Sequence, residues 1–291
     1  MTLKSIETVE TVALPAAIKV GFRGRNDYMK DPGKIGSDPL AAAKLCNILK
    51  LHTRRKASVF YPENDHSGAI YTGGVTTVIQ VPGGKDCEIC STAGDAVILG
   101  HQRGQKRIIA LRTKDCVPIL IYDVGNKFLA GIHFSNITGV GYKAPNDWLG
   151  PILHRVFSQI NPATAFIWLG PAVGGIGRNQ NGCTCYQYTQ TDGVRDGTIL
   201  IEAIQNHYPD VGLDGFFTTM EATEKMVFQW GHIVLLILLS YGVPLAQINI
   251  GRNFCTSCEH HQWYSHRKLK GDPDERFIVP QRIGNLSWII G

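Results

Sequence analysis

Between Thr92 and Gly139 three apolar segments follow one another closely, and no other stretch constrains the fold of this chain as tightly. They read TAGDAVILG, RIIALRTKDCVPILIYD and KFLAGIHFSNITG. In the second, RTKDC interrupts the apolar run before it resumes. Runs of this length, rich in Ile and Val and bounded by Gly and Asp, predict buried strands rather than helices. Cys116 and His133 then lie at the edge of one sheet or on neighbouring strands. A soft thiolate and an imidazole brought together in this way can hold zinc, or form a nucleophile and its base.

The remaining chain supplies alternating strand and helix signals. Strands are predicted in TVALPAAIKVGF, ending at Gly21, in KASVFYPEND, in TAFIWLGPAVGG, in LAQINIGR and in the tail. Gly73-Gly74 and Pro82-Gly83-Gly84 punctuate a hairpin or meander. Ser37-Asp38-Pro39 opens a predicted helix over DPLAAAKLCNILKL, which carries Cys46, and others are expected over 147–160, 198–207 and 221–241. DGFFTT, between the last two, reads as a loop. No repeat, low-complexity tract or linker divides the 291 residues. The expectation is an α/β (α+β) fold, with one domain over 1–291 built of mixed β-sheets flanked by helices.

Charge and thiol usage narrow the function classes. The formal charge is +5, but its Lys and Arg are scattered, with small groups only at Arg54-Arg55-Lys56 and His266-Arg267-Lys268. That argues against a nucleic-acid groove and suits a phosphate or nucleotide ligand. Met1 to Ala17 carries Lys4, Glu7 and Glu10 without an apolar core, unlike a signal peptide. HIVLLILLSYGV is shorter than the roughly 20 residues a membrane helix needs. A cytoplasmic protein without membrane insertion is expected, in which the eight cysteines are thiols or metal ligands rather than disulfides.

Several residues can join Cys116 and His133. A catalytic zinc takes three protein ligands and keeps one position open, and His66 is the natural third, beside an Asp65 able to orient its ring. Arg23 and Arg25, in a polar loop after the first strand, form either an anion site or an exposed basic turn. Cys87-x-x-Cys90 and Cys255-x-x-Cys258 are each half of a structural zinc site, and could complete one another if their loops met. Cys87 and Cys90 are otherwise a redox pair or two unrelated thiols. One intervening residue makes a disulfide between Cys183 and Cys185 strained. The turn in WLGPAVGG lacks the lysine and spacing of a phosphate-binding Walker loop, although its amides could line an anion site.

GDAVIL, DCVPILIYD, GIHFSNITG, WLGPAVGG, CTSC and WYSHR, in this order and approximate spacing, resemble the laccase-domain family over roughly residues 14–291. That group was once described as multicopper polyphenol oxidoreductases and later as purine nucleoside phosphorylases with adenosine deaminase side activity. Its metal site uses the His of Q-V-H-G, the Cys of D-C-x-P and the His of H-A-G-W-R-G. The resemblance places these on His66 in NDHSG, Cys116 in DCVP and His133 in HFSNITG. It places two phosphate-holding arginines on Arg25 and Arg267. The chain departs from the family after His133, where Asn136 and Ile137 replace Trp and Arg.

The resemblance implies a zinc-dependent enzyme in which phosphate attacks the ribose C1′ of a purine nucleoside, with Asp115 or Asp65 as acid or orienting group. Copper fits less well, because the ten His contain no H-x-H pair of the kind that builds multicopper centres. Two other readings use the same residues. One is a metal-free amidase or deamidase with Cys116 as nucleophile and His133 as base. The other is a metal-binding scaffold that kept the site and lost the reaction.

Overall fold

The apolar central segments do form strands, and those strands lie in the middle of the molecule. The computed structural model describes residues 18–23, 45, 57–62, 66–72, 77–80, 87–92, 94–100, 105–176, 183–189, 196–250, 253–260, 262–263, 265 and 285–291. One six-stranded sheet contains, in spatial order, β1 (Lys19–Arg23), β15 (Asn285–Ile290), β7 (Lys106–Thr113), β2 (Ala57–Pro62), β5 (Cys87–Thr92) and β4 (Thr77–Gln80). A second contains β14 (Ile248–Asn249), β10 (Ala165–Leu169), β8 (Val117–Asp123), β9 (Phe128–Phe134), β6 (Ala96–Gly100) and β3 (Ile70–Tyr71). A small third sheet holds β11 (Gln187–Thr189), β13 (Lys225–Phe228) and β12 (Phe217–Met220). Both large sheets mix parallel and antiparallel pairs. Among the described residues, the helices with defined bounds are α1 (Asn136–Val140), α2 (Ile152–Phe157), α3 (Gly197–His207) and α4 (Trp230–Ser240).

The second sheet is sandwiched. On one face Val97, Leu99, Leu120 and Leu129 meet Phe60, Ile109, Leu111 and Ile289 of the first sheet. On the other, Ile98, Ile119, Ile121 and Ile132 pack with Leu153 and Val156 of α2, Leu200 of α3 and Ile233 of α4. A strand covered on both sides carries apolar residues at consecutive positions, and β8 is buried along its whole length. Gly131 permits the close approach of the sheets, because a Cβ there would lie 2.6 Å from Cγ2 of Ile109.

Several elements differ from expectation. The first strand continues through Gly21, whose missing side chain leaves room for the Trp288 indole on the neighbouring strand. Only Ile152–Phe157 of the helix expected over 147–160 is helical, because Gly150 has φ 87° and Pro151 caps the first turn. DGFFTT is not a loop throughout, since Phe217–Met220 is a strand. The expected helix over 221–241 divides into a 3-10 turn, β13 and α4. Its apolar half alone is helical, whereas Met226, Val227 and Phe228 bury themselves in the small sheet. LAQINIGR supplies only a two-residue strand after a 3-10 turn. The helix expected over 38–51 lies outside the described residues except for Leu45, which is helical and buried. No helix among the described residues is long and apolar enough to cross a membrane.

Candidate metal centre

The antiparallel register of β8 and β9 sets Pro118 opposite His133 and Val117 opposite Phe134. Cys116, one residue before β8, therefore lies beside the end of β9 from which His133 projects. The third residue comes from a turn. His66 adopts a left-handed backbone, φ 61°, an uncommon conformation that its surroundings enforce. Asp95 accepts from the N–H of His66 at 3.1 Å and from that of Gly68 at 2.8 Å. Arg155 donates to the Gly68 carbonyl at 2.6 Å. The Ala69 carbonyl accepts from the amides of Asp95 and Ala96. Gly94 is required beside this turn: its φ is 108°, and a Cβ there would lie 2.6 Å from the Ala69 oxygen.

Asp95 is fully buried, and its Oδ1 lies 2.8 Å from Nδ1 of His133. A carboxylate only accepts, so the shared proton belongs to Nδ1, which leaves Nε2 facing the centre, where it binds an electrophile once its own proton is displaced. The donor atoms of His66, Cys116 and His133 all lie within 4.8 Å of one another. The two imidazoles meet edge to face, with ring centroids 4.9 Å apart at 90°. A tetrahedral zinc, with bonds of about 2.0–2.3 Å, needs ligand atoms roughly 3.3–3.8 Å apart. Two imidazoles and a thiol, with one imidazole already oriented by a buried carboxylate, suit such an ion.

The electrostatics bind the same residues together. Burial opposes ionisation of the Cys116 thiol, but the His133 and His66 imidazoles outweigh it and bring the thiol down to about 6. Burial likewise opposes the imidazolium of His133, yet Cys116 and Asp95 raise it to about 10. Asp95 is held below the ordinary carboxylate range despite its burial, by His133 and by the amides of Gly68 and His66.

The other residues singled out from sequence fall in different places. Asp115 adjoins Cys116, but its carboxylate accepts from the Thr256 hydroxyl at 2.8 Å, and its carbonyl accepts from Val173 N–H. That bonding suits an anchor for the turn before β8. Arg25, Arg267, Cys46 and Asp65 lie outside the described residues. Cys255 and Cys258 meet Cys183 and Cys185 rather than Cys90. Cys90 lies on β5 and is buried in the core between the large sheets, which separates it from that group; the side chain of Cys87 is outside the described residues. After His133 the chain turns into α1 through a reciprocal cap. The Ser135 hydroxyl accepts from Thr138 N–H, and the Thr138 hydroxyl accepts from Ser135 N–H. Asp95 is the orienting carboxylate that sequence reasoning missed. Its signal was a Gly-Asp pair immediately before an apolar strand.

Residues 41–273 match the family described as multi-copper polyphenol oxidoreductase laccase. Three solved structures share the fold at low identity. The hypothetical protein YfiH of Bacillus licheniformis is 20% identical, with a TM-score of 0.61 and coverage of 94% of this chain and 92% of that one. YlmD of Geobacillus stearothermophilus is 18% identical, with a TM-score of 0.59 and coverage of 95% and 92%. The Neisseria meningitidis protein NMB0706 is 17% identical, with a TM-score of 0.58 and coverage of 95% and 94%. A comparison with curated proteins finds no match.

Proposed function

This chain belongs to the multi-copper polyphenol oxidoreductase laccase family, and within it we propose a metal-binding, enzyme-like protein whose working centre is His66, Cys116 and His133. One observation carries the reading: three donors from separate elements converge within 4.8 Å, and buried Asp95 fixes the ring of one of them. The metal proposed is zinc. Two imidazoles and one thiolate also suit copper, which such donors bind more tightly at equal availability. When bound, the ion supplies Lewis acidity at the coordination position that the protein leaves free.

The residues divide the remaining work. Asp95 keeps the Nδ1 proton of His133 in place, so that Nε2 faces the centre. Arg155 and Asp95 hold the His66 turn, and Thr256 holds Asp115 so that Cys116 is presented at a constant position. The proposed reaction is phosphorolysis of a purine nucleoside, with Arg25 and Arg267 holding phosphate. Support for it comes from resemblance alone, whereas a metal-holding scaffold needs only the geometry above. The depressed Cys116 and raised His133 favour one further reading, a metal-free thiolate–imidazolium dyad.

Metal analysis of purified protein and of its His66→Ala variant tests the centre. Loss of one metal equivalent with the fold intact is expected, and unchanged metal content overturns it. Release of free base from adenosine or inosine that requires both phosphate and metal supports the phosphorylase. Bound metal without any base release leaves the scaffold reading. Covalent trapping of Cys116 in the metal-loaded protein would instead favour the dyad.

A further inference from the structure

Four of the eight cysteines meet at a second place, away from the centre just described. Cys183 and Cys185 lead into β11, and Cys255 and Cys258 occupy the turn that follows a parallel bridge between Ala172 and Cys255. Their sulfur atoms all lie within 4.8 Å of one another. Sγ of Cys183 is 3.5 Å from that of Cys255 and 3.6 Å from that of Cys258, and Cys185 is 3.4 Å from Cys258. A disulfide needs about 2.05 Å, and all four thiols are free. A tetrahedral zinc with Zn–S bonds of about 2.3 Å separates its sulfurs by about 3.8 Å, close to the spacing found.

Backbone donors already point at one of these sulfurs. The amides of Gly174 and Cys258 donate to Cys255 Sγ at 3.4 and 3.5 Å. Sulfurs this crowded cannot all ionise without a cation.

We propose that Cys183, Cys185, Cys255 and Cys258 form a tetrathiolate zinc site, separate from the His66–Cys116–His133 centre and structural in role. Four protein sulfurs complete the coordination shell and leave no position for substrate. Each thiol still protonated releases its proton to solvent when the ion binds. The site braces the first centre from two sides. Thr256, between two of the ligands, bonds Asp115 beside Cys116. Tyr186, next to Cys185, stacks on Trp230 with ring centroids 5.0 Å apart, and the Tyr188 hydroxyl accepts from Asn136 in the helix that follows His133.

The test uses the full chain with His66→Ala in place, which takes one of the three ligands from the first centre and leaves the four sulfurs intact. That protein is expected to retain one zinc per chain. After exchange for cobalt, it should show intense thiolate-to-cobalt charge transfer and the d–d bands of a four-sulfur tetrahedron. Adding Cys183→Ser and Cys185→Ser should abolish both the zinc and the spectrum. No retained metal, a cobalt spectrum without thiolate charge transfer, or an intact mass lower by two hydrogens from a disulfide would each overturn the proposal. If the serine variant fails to fold, the His66→Ala protein alone decides. Failure of the first centre would show separately, as metal content that His66→Ala does not change.

Discussion

Asp95→Asn is the sharpest perturbation of the first centre, because one buried carboxylate serves three donors. It accepts from His66 N–H, Gly68 N–H and His133 Nδ1–H. An amide is nearly isosteric, but it offers one carbonyl oxygen and one NH2. With the oxygen toward His133 and His66, the NH2 faces Gly68 N–H; in the other orientation it faces His133 and His66. Either way a buried donor meets a donor, at a cost of about 1–3 kcal/mol to the metal-free fold. Removing the carboxylate that orients a ligand imidazole weakens metal binding about 10–100-fold, or about 1.4–2.8 kcal/mol. Chelator competition measures the affinity, and urea denaturation of metal-free protein measures the stability. The acid dependence supplies a sign. Asp95 is held below its ordinary value, so its charge stabilises the fold above the unfolded carboxylate pKa, and that contribution is lost as pH falls through the lowered value. The deficit of the Asn variant should therefore shrink toward acid. Equal affinity and stability at neutral pH, or a deficit that grows in acid, would refute the reasoning.

Three further outcomes are expected. In chelator-treated protein, the alkylation rate of Cys116 should rise with half-maximum near pH 6, because the folded thiol is depressed to about 6 from 9.0. Added zinc should protect it, and a midpoint near 9.0 would exclude the charge pairing described. Gly131→Ala should destabilise the fold by about 1–3 kcal/mol through overpacking against Ile109, read as a lower urea midpoint, and no shift would deny the close approach of the sheets. Ser135→Ala removes the cap of α1 and should cost about 1 kcal/mol. The same variant should weaken metal binding only modestly, because His133 is also held by its strand and by Asp95.

The legible parts of the sequence were those whose burial left a periodic trace. β8 and β9 announced themselves because a sheet covered on both faces has no polar alternation to confuse with a helix. Cys116 and His133 could be paired for the same reason, since strands joined by a short turn lie side by side. Short edge strands left weaker traces. The apolar run of α4 extended its helical signal backward over Lys225–Phe228, where Glu221 and Glu224 resemble an acidic first turn. Cysteine partnership was illegible, because Cys255-x-x-Cys258 is compatible with any second pair and only topology brings Cys183 and Cys185 to it. The role of Asp95 was hidden likewise, since the carboxylate reaches His133 across 38 residues of chain.

The sulfur cluster also joins chain positions 72 residues apart. Between them lie α3, β12, β13 and α4, much of the layer that covers the middle sheet. An ion at that neck turns the layer into a closed ring. For a cross-link of this span, the lost freedom of the denatured chain is worth about 4 kcal/mol. Chelation there would release chain length while leaving most native contacts in place, so its main signature would be a larger denatured state.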